Sequence, residues 1–118
     1  MSGYTDLEVW QKAMDLTEEV YKLTRTFPKE EIYGLTSQIR RAAVSIPSNI
    51  AEGASRAGSR EFLQFLHIAR GSSSELETQL ILAERIGFFS NSQEMFSKLT
   101  SVKQLINGLI RSLKGKLS

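Results

Sequence analysis

The residues able to do chemistry are few. His67 is the only histidine, and there is no cysteine. Nothing can join it as a second soft ligand on a metal, and on a helix it lies away from the neighbouring apolar stripe. Glu75, Glu77 and Glu84 do not form the Glu-x-x-His ligand set of carboxylate-bridged metal bundles. Residues 53–60, GASRAGSR, carry the glycines of a phosphate-binding loop, but Ser59 stands where the gripping lysine belongs and a helical pattern precedes it. A helix–helix turn is the plainer reading. No nucleophile–base pair, metal spacing or cofactor fingerprint is present, so the expectation is a non-enzyme with no cofactor, metal or small-molecule substrate.

What remains is basic and polar. Arg56, Arg60 and Arg70, with Arg111, Lys114 and Lys116 of the tail, form a candidate nucleic-acid-binding set, because guanidinium forks match phosphate geometry. The bland alternative is salt bridging, for instance Glu52–Arg56 at i,i+4. Cations near a helix C-terminus also suit its dipole. Gln38, Arg41, Ser45, Asn49 and Glu52 fall on one arc of a helix and form a candidate structural polar network.

The element that positions these residues is the stretch 34–56, GLTSQIRRAAVSIPSNIAEGASR. Its apolar stripe is Leu35, Ile39, Ala42, Ala43, Ile46 and Ile50, at three- and four-residue steps. Pro47 interrupts it. Proline lacks the amide donor and its ring presses on the carbonyl four residues earlier, here Ala43, at about 3 kcal/mol in a helix interior. Because the stripe keeps its phase, a continuous kinked helix is expected, with small neighbours letting another helix or a hydroxyl cover the freed carbonyl. A break with a new cap at Asn49 and Glu52 is the alternative.

Three more amphipathic segments flank it. The first opens on a Thr5–Glu8 capping box with a Tyr4–Val9 staple, buries Leu7, Trp10, Met14 with Ala13, Thr17, Val20 with Tyr21, and Thr24, and ends at Phe27-Pro28. The third runs about 59–87, capped by Ser59 and closed by Gly87, with Phe62, Phe65, Leu66, Ala69, Ser73, Leu76, Leu80 and Ala83 inward. The fourth starts at an Asn91–Glu94 capping box and carries Met95, Leu99, Val102, Leu105, Ile106, Leu109, Ile110 and Leu113. The expected fold is all-α: one antiparallel, up-down-up-down four-helix bundle over 1–118. Leu63, Ile68, Ile81, Leu82, Phe88, Phe89 and Phe96 exceed what one stripe needs, which points to self-association.

Composition fits this. Of the 118 residues, 41% are hydrophobic and 24% charged, as in ordinary globular proteins. Without cysteines, a reducing cytoplasm is the expected home. No apolar run is long enough to span a membrane, and MSGYTDLEVW lacks the basic-then-apolar pattern of a signal peptide. The net charge of +2 is unevenly spread: residues 1–31 hold seven acids against four bases, whereas residues 95–118 hold five bases and no acid. Such polarity attracts polyanions.

From residue 5 to about 114 the chain resembles the four-helix-bundle family encoded in intervening sequences of bacterial 23S ribosomal RNA genes. The most specific blocks are QIRRAAVSIPSNIAEG and ARGSSSELETQL. The resemblance implies a left-handed antiparallel bundle, commonly assembled as a homopentamer around a central opening, with no established biochemical activity. It also implies nucleic-acid association, RNA above all, through genomic context and similarity to a basic pentameric accessory protein of diversity-generating retroelements. A protein–protein scaffold with no nucleic-acid role is the competing expectation.

Overall fold

A computed structural model describes residues 3–117; Met1, Ser2 and Ser118, which the expected domain of 1–118 includes, lie outside the described residues. Four helices form: α1 (Glu8–Thr24), α2 (Leu35–Ala54), α3 (Ser59–Arg85) and α4 (Gln93–Leu117), with short 3-10 turns at Tyr4–Asp6 and Lys29–Glu31. No strand occurs among the described residues. The molecule measures 46 × 23 × 22 Å. Its long axis is close to the ~40 Å expected of the 27-residue α3 at 1.5 Å per residue. The helices pack as a bundle in which α2 lies against α1 and α3, and α4 against α3 and α1.

Every helix contributes to one core of Leu, Ile, Val and Ala side chains, with Leu16, Ile39, Ile46, Leu66, Leu76, Leu99 and Ile106 essentially fully buried. The stripes of α2 and α4 fall as the periodicity requires. That of α1 does so in part: Ala13, Val20 and Thr24 are buried as expected, and Leu7 and Trp10 pack on the core. Val9, Ala13, Leu16, Val20 and Thr24 face the core, while Met14 and Tyr21 are exposed. Val9 and Leu16 complete the inward face in place of Met14 and Tyr21. Thr5 sits inside the first 3-10 turn and does not cap α1, whose N-cap is Leu7 with no side-chain bond. Gln11 instead donates to the Thr5 carbonyl at 2.9 Å, and Tyr4 packs edge-on against Trp10 at 5.4 Å between ring centroids. This holds Trp10 on the flank.

The other expected caps also move. Gly58, not Ser59, is the N-cap of α3. Asn91 stands outside α4 at φ 57°, and the Ser92 hydroxyl donates to Glu84 of α3. Gly87 closes α3 as expected. At φ 88° it takes the left-handed conformation, its N–H donating to Glu84 O at 3.1 Å and that of Phe88 to Ala83 O at 2.9 Å. Phe88 and Phe89 then fold inward against Phe27, at 5.3 and 6.1 Å between centroids. With Leu63 and Phe96 they pack on the core, so these four are not surplus surface.

Pro47 lies inside α2, which runs through it without a break. The Thr17 hydroxyl of α1 is 2.8 Å from Ala13 O in its own helix and 3.2 Å from Ala43 O, the carbonyl that Pro47 leaves without its helical donor. A hydroxyl has one hydrogen, so the bond is shared, with the shorter arm inside α1. Asn49 does not cap a new helix; its amide donates back to the Ser45 carbonyl and hydroxyl at 2.8 and 3.0 Å. Thr17→Val, which keeps the shape and removes the donor, should destabilise the protein by about 1 kcal/mol. In a Pro47→Ala background the restored amide serves Ala43, and the loss should shrink measurably. Urea unfolding at fixed protomer concentration checks this. Additive effects would mean that the hydroxyl serves only Ala13.

Candidate functional site

Two surfaces gather the polar residues that packing does not consume. The first follows the seam of α2 and α3. Here the backbones approach closely: a Cβ on Gly53 would stand 2.7 Å from Phe65 Cβ and 2.9 Å from Phe62 Cδ1. Neither ring stem can withdraw, so only glycine fits. Farther along, Ser45 and Ser72 share a hydroxyl–hydroxyl bond of 2.7 Å, extended by Asn49. Ser45, Asn49 and Ser72 therefore form one chain of bonds. Glu52 instead pairs with Arg56 at 3.0 Å. Gln38 and Arg41 line an open groove with Tyr33, Ser37, Ala42, Ser45 and Glu75. Tyr33 is 95% exposed at its rim. Neither Arg41 nor Glu75 makes an ion pair within the chain among the described residues. Beside this groove, Ile68, Leu82 and Ile86 share with Glu75 a line at seven- and four-residue steps along α3 and are about half exposed. Ile81, also exposed, lies off that line.

Arg40 and Arg41 separate as adjacent helical residues must. Arg40 turns to α1, donating from Nε to the Thr24 hydroxyl at 2.8 Å with its guanidinium 4.7 Å from the Tyr21 ring centroid. It is a structural tie between α1 and α2.

The second surface lies where α3 meets the end of α4. The five bases of the tail divide. Lys98 pairs with Glu94 and Glu19 at 3.4 and 3.7 Å, and Lys103 with Glu77 at 2.8 Å, so both tie helices together. Arg111, Lys114 and Lys116 are exposed and make no ion pair among the described residues, and the same holds for Arg60 and Arg70 of α3. Arg56 stands apart. Besides Glu52 it covers the Phe65 ring at 5.1 Å, so its guanidinium is already engaged.

His67 is the meeting point. Its Nδ1 is 2.9 Å from an Arg70 guanidinium nitrogen. A guanidinium can only donate, so Nδ1 accepts and the neutral ring carries its proton on Nε2. Partial burial, then the charges of Arg70 and Lys114, hold the imidazole below its ordinary value of 6.5. Arg70 and Lys114 are thus brought together by a residue that sequence reading sets aside. Arg70, three residues on, is a legible neighbour of His67 in the sequence; Lys114, on another helix, is not. Arg111 lies one turn before Lys114 and Arg60 two turns before His67.

No group of three or more His, Asp or Glu able to hold a metal exists among the described residues. No helix of the described residues is long and apolar enough to cross a membrane.

Because the folded midpoint of His67 lies below that of the unfolded chain, the unfolded state takes up the proton first as pH falls. Any stability linked to this group is therefore lost from about pH 6.5 down to the folded midpoint and is level beyond it. As the sole histidine it gives one ring signal in NMR. That signal should titrate below 6.5, and Arg70→Gln or Lys114→Gln should each raise the midpoint. An unchanged midpoint in both would show that neither charge reaches the ring.

Similarity to known proteins agrees with this architecture. A crystal structure of a protein of unknown function from the S23 ribosomal protein family of Bacteroides thetaiotaomicron VPI-5482 superposes with a TM-score of 0.80. The two are 24% identical over 87% of this chain and 95% of the other, which speaks to the fold. No curated protein matches the chain. The family model described as 23S rRNA-intervening sequence protein matches residues 5–108, from the first 3-10 turn into α4. A match over that much of the chain, on a four-helix structure, makes this protein a member of the 23S rRNA-intervening sequence protein family.

Proposed function

We propose that this protein is a non-enzymatic, self-assembling bundle that engages nucleic acid, RNA in particular, through the cationic edge of α3 and α4. One domain spans 1–118, in the cytoplasm, without cofactor, metal or small-molecule substrate. The observation that carries the reading is the distribution of ion pairs. Acids neutralise Lys22, Arg56, Lys98 and Lys103, whereas Arg60, Arg70, Arg111, Lys114 and Lys116 of α3 and α4 are exposed without an ion pair among the described residues, as are Lys12, Arg25, Lys29 and Arg85 elsewhere. The helices run up-down-up-down. Thr17 meets Ala43 and Thr24 meets Arg40; Ser45 meets Ser72 and Gly53 meets Phe62; Glu77 meets Lys103 and Glu84 meets Ser92. In each pair of neighbours, later residues of one helix meet earlier residues of the next. The left-handed sense is taken from the family, and the bend at Pro47 from its missing donor.

Such an edge reads phosphates, not bases, since it offers no exposed aromatic platform. Affinity for a 20-nucleotide RNA, followed by fluorescence anisotropy, should fall steeply between about 50 and 200 mM salt. Combined Arg70→Ala, Arg111→Ala and Lys114→Ala should lower the salt slope by about one unit for each phosphate no longer held. Equal affinity and slope in that variant would end the reading in favour of a protein scaffold.

Assembly is assigned to the α2–α3 face, where Arg41 and Glu75 lack partners within the chain and Ile68, Leu82 and Ile86 are half exposed. A second copy would pair the charges and cover the aliphatic line; the family resemblance supports a ring of five. Light scattering should give a multiple of 13.2 kDa, and Leu82→Asp with Ile86→Asp should return the protein to that mass. A wild-type monomer at micromolar concentration would refute it.

A further inference from the structure

We infer that His67, Arg70 and Lys114 form a discrete binding site for a phosphate-type oxyanion, and that binding of the anion favours the protonated, cationic form of His67. The inference rests on the nucleic-acid reading for what carries the phosphate, not for the chemistry of the site.

In the free protein the three groups hold one another in check. Arg70 donates to Nδ1 of His67 at 2.9 Å, a bond that exists only while that nitrogen is bare. A proton on Nδ1 would set N–H against N–H and place a third positive charge beside Arg70 and Lys114. The charged groups that act on the ring are Arg70 of its own helix and Lys114 from α4. Neither Arg70 nor Lys114 makes an ion pair with a carboxylate among the described residues. The neutral ring is the consequence.

A phosphate reverses each of these conditions. Its oxygens only accept, so they can take N–H from a protonated Nδ1, the fork of Arg70 and the ammonium of Lys114 together. Arg70 is released from the imidazole to face the anion, and the negative charge offsets the repulsion that, together with burial, disfavours the charged ring. A diester of a nucleic-acid backbone and free inorganic phosphate or pyrophosphate share this chemistry. By linkage, an anion that binds the protonated form better must tighten as pH falls through the His67 range. Each unit by which it raises the His67 midpoint corresponds to about a tenfold gain in affinity at low pH.

The single histidine ring makes the test direct. Its NMR titration is followed between pH 5 and 8 in the free protein, with inorganic pyrophosphate, and with a 20-nucleotide RNA. The midpoint is expected to rise with either anion, and the rise to vanish in Arg70→Gln with Lys114→Gln. RNA affinity should tighten from pH 7.5 to 5.5 in the wild type and become flat with pH in His67→Gln. RNA that binds without moving the His67 midpoint would overturn the site and leave the broader reading standing. Pyrophosphate that raises the midpoint while RNA fails to bind would keep the site, for free phosphate compounds, and end the nucleic-acid reading. A midpoint that neither anion moves, or that moves equally without Arg70 and Lys114, would overturn the inference outright.

Discussion

The carbonyl of Ala43 has to be satisfied from outside its own helix. Pro47 removes the donor that would have reached it, and a buried carbonyl without a partner costs about 1–3 kcal/mol. Thr17 of α1 supplies a shared hydroxyl at 3.2 Å, which ties the interior of α2 to α1 at one register. On the other side α2 is tied to α3 by the Ser45–Ser72 bond and by Gly53, which alone among residues leaves room for Phe62 and Phe65. Held on both flanks, α2 has little freedom to slide or rotate. The groove beside it, with Arg41 and Glu75, is placed by those two seams.

Electrostatics divide the molecule without holding it together. Exposed ion pairs contribute roughly 0–1 kcal/mol each. Only Lys103–Glu77, at 2.8 Å and partly buried, has the geometry and environment to do better. The cations left unpaired along α3 and α4 are therefore not explained by folding stability. The dipole at the end of α4 accounts for a few tenths of a kcal/mol on Lys114 and Lys116, but not for Arg70 in the interior of α3. The pKa of His67 is lowered first by burial and then by the charges of Arg70 and Lys114.

Periodicity in the sequence determined four helices, their approximate limits and the inward faces of α2, α3 and α4, because in each of these one stripe carries the buried positions. The Gly87 stop was legible for the same local reason: only a residue tolerant of positive φ closes a helix that way. Family membership was legible too, in QIRRAAVSIPSNIAEG and ARGSSSELETQL. The face of α1 was legible only in part: Ala13, Val20 and Thr24 lie inward as read, Leu16 was missed, and Met14 and Tyr21 are exposed. Its sequence carries two adjacent apolar stripes, and the small Ala13 and the Tyr4–Trp10 packing selected the one containing Leu16. The capping residues shifted because short-range patterns at Thr5, Ser59 and Asn91 compete with 3-10 turns and with partners such as Glu84 that no local window contains. The site was half legible. Arg70 and Lys114 were identifiable as bases and His67 as the sole imidazole, but their meeting depends on α3 lying against α4. Likewise, which lysines are neutralised depends on acids from other helices. Side-chain types and their spacing follow from the chain alone; which charges end with a partner, and which without, is a property of how the helices pack.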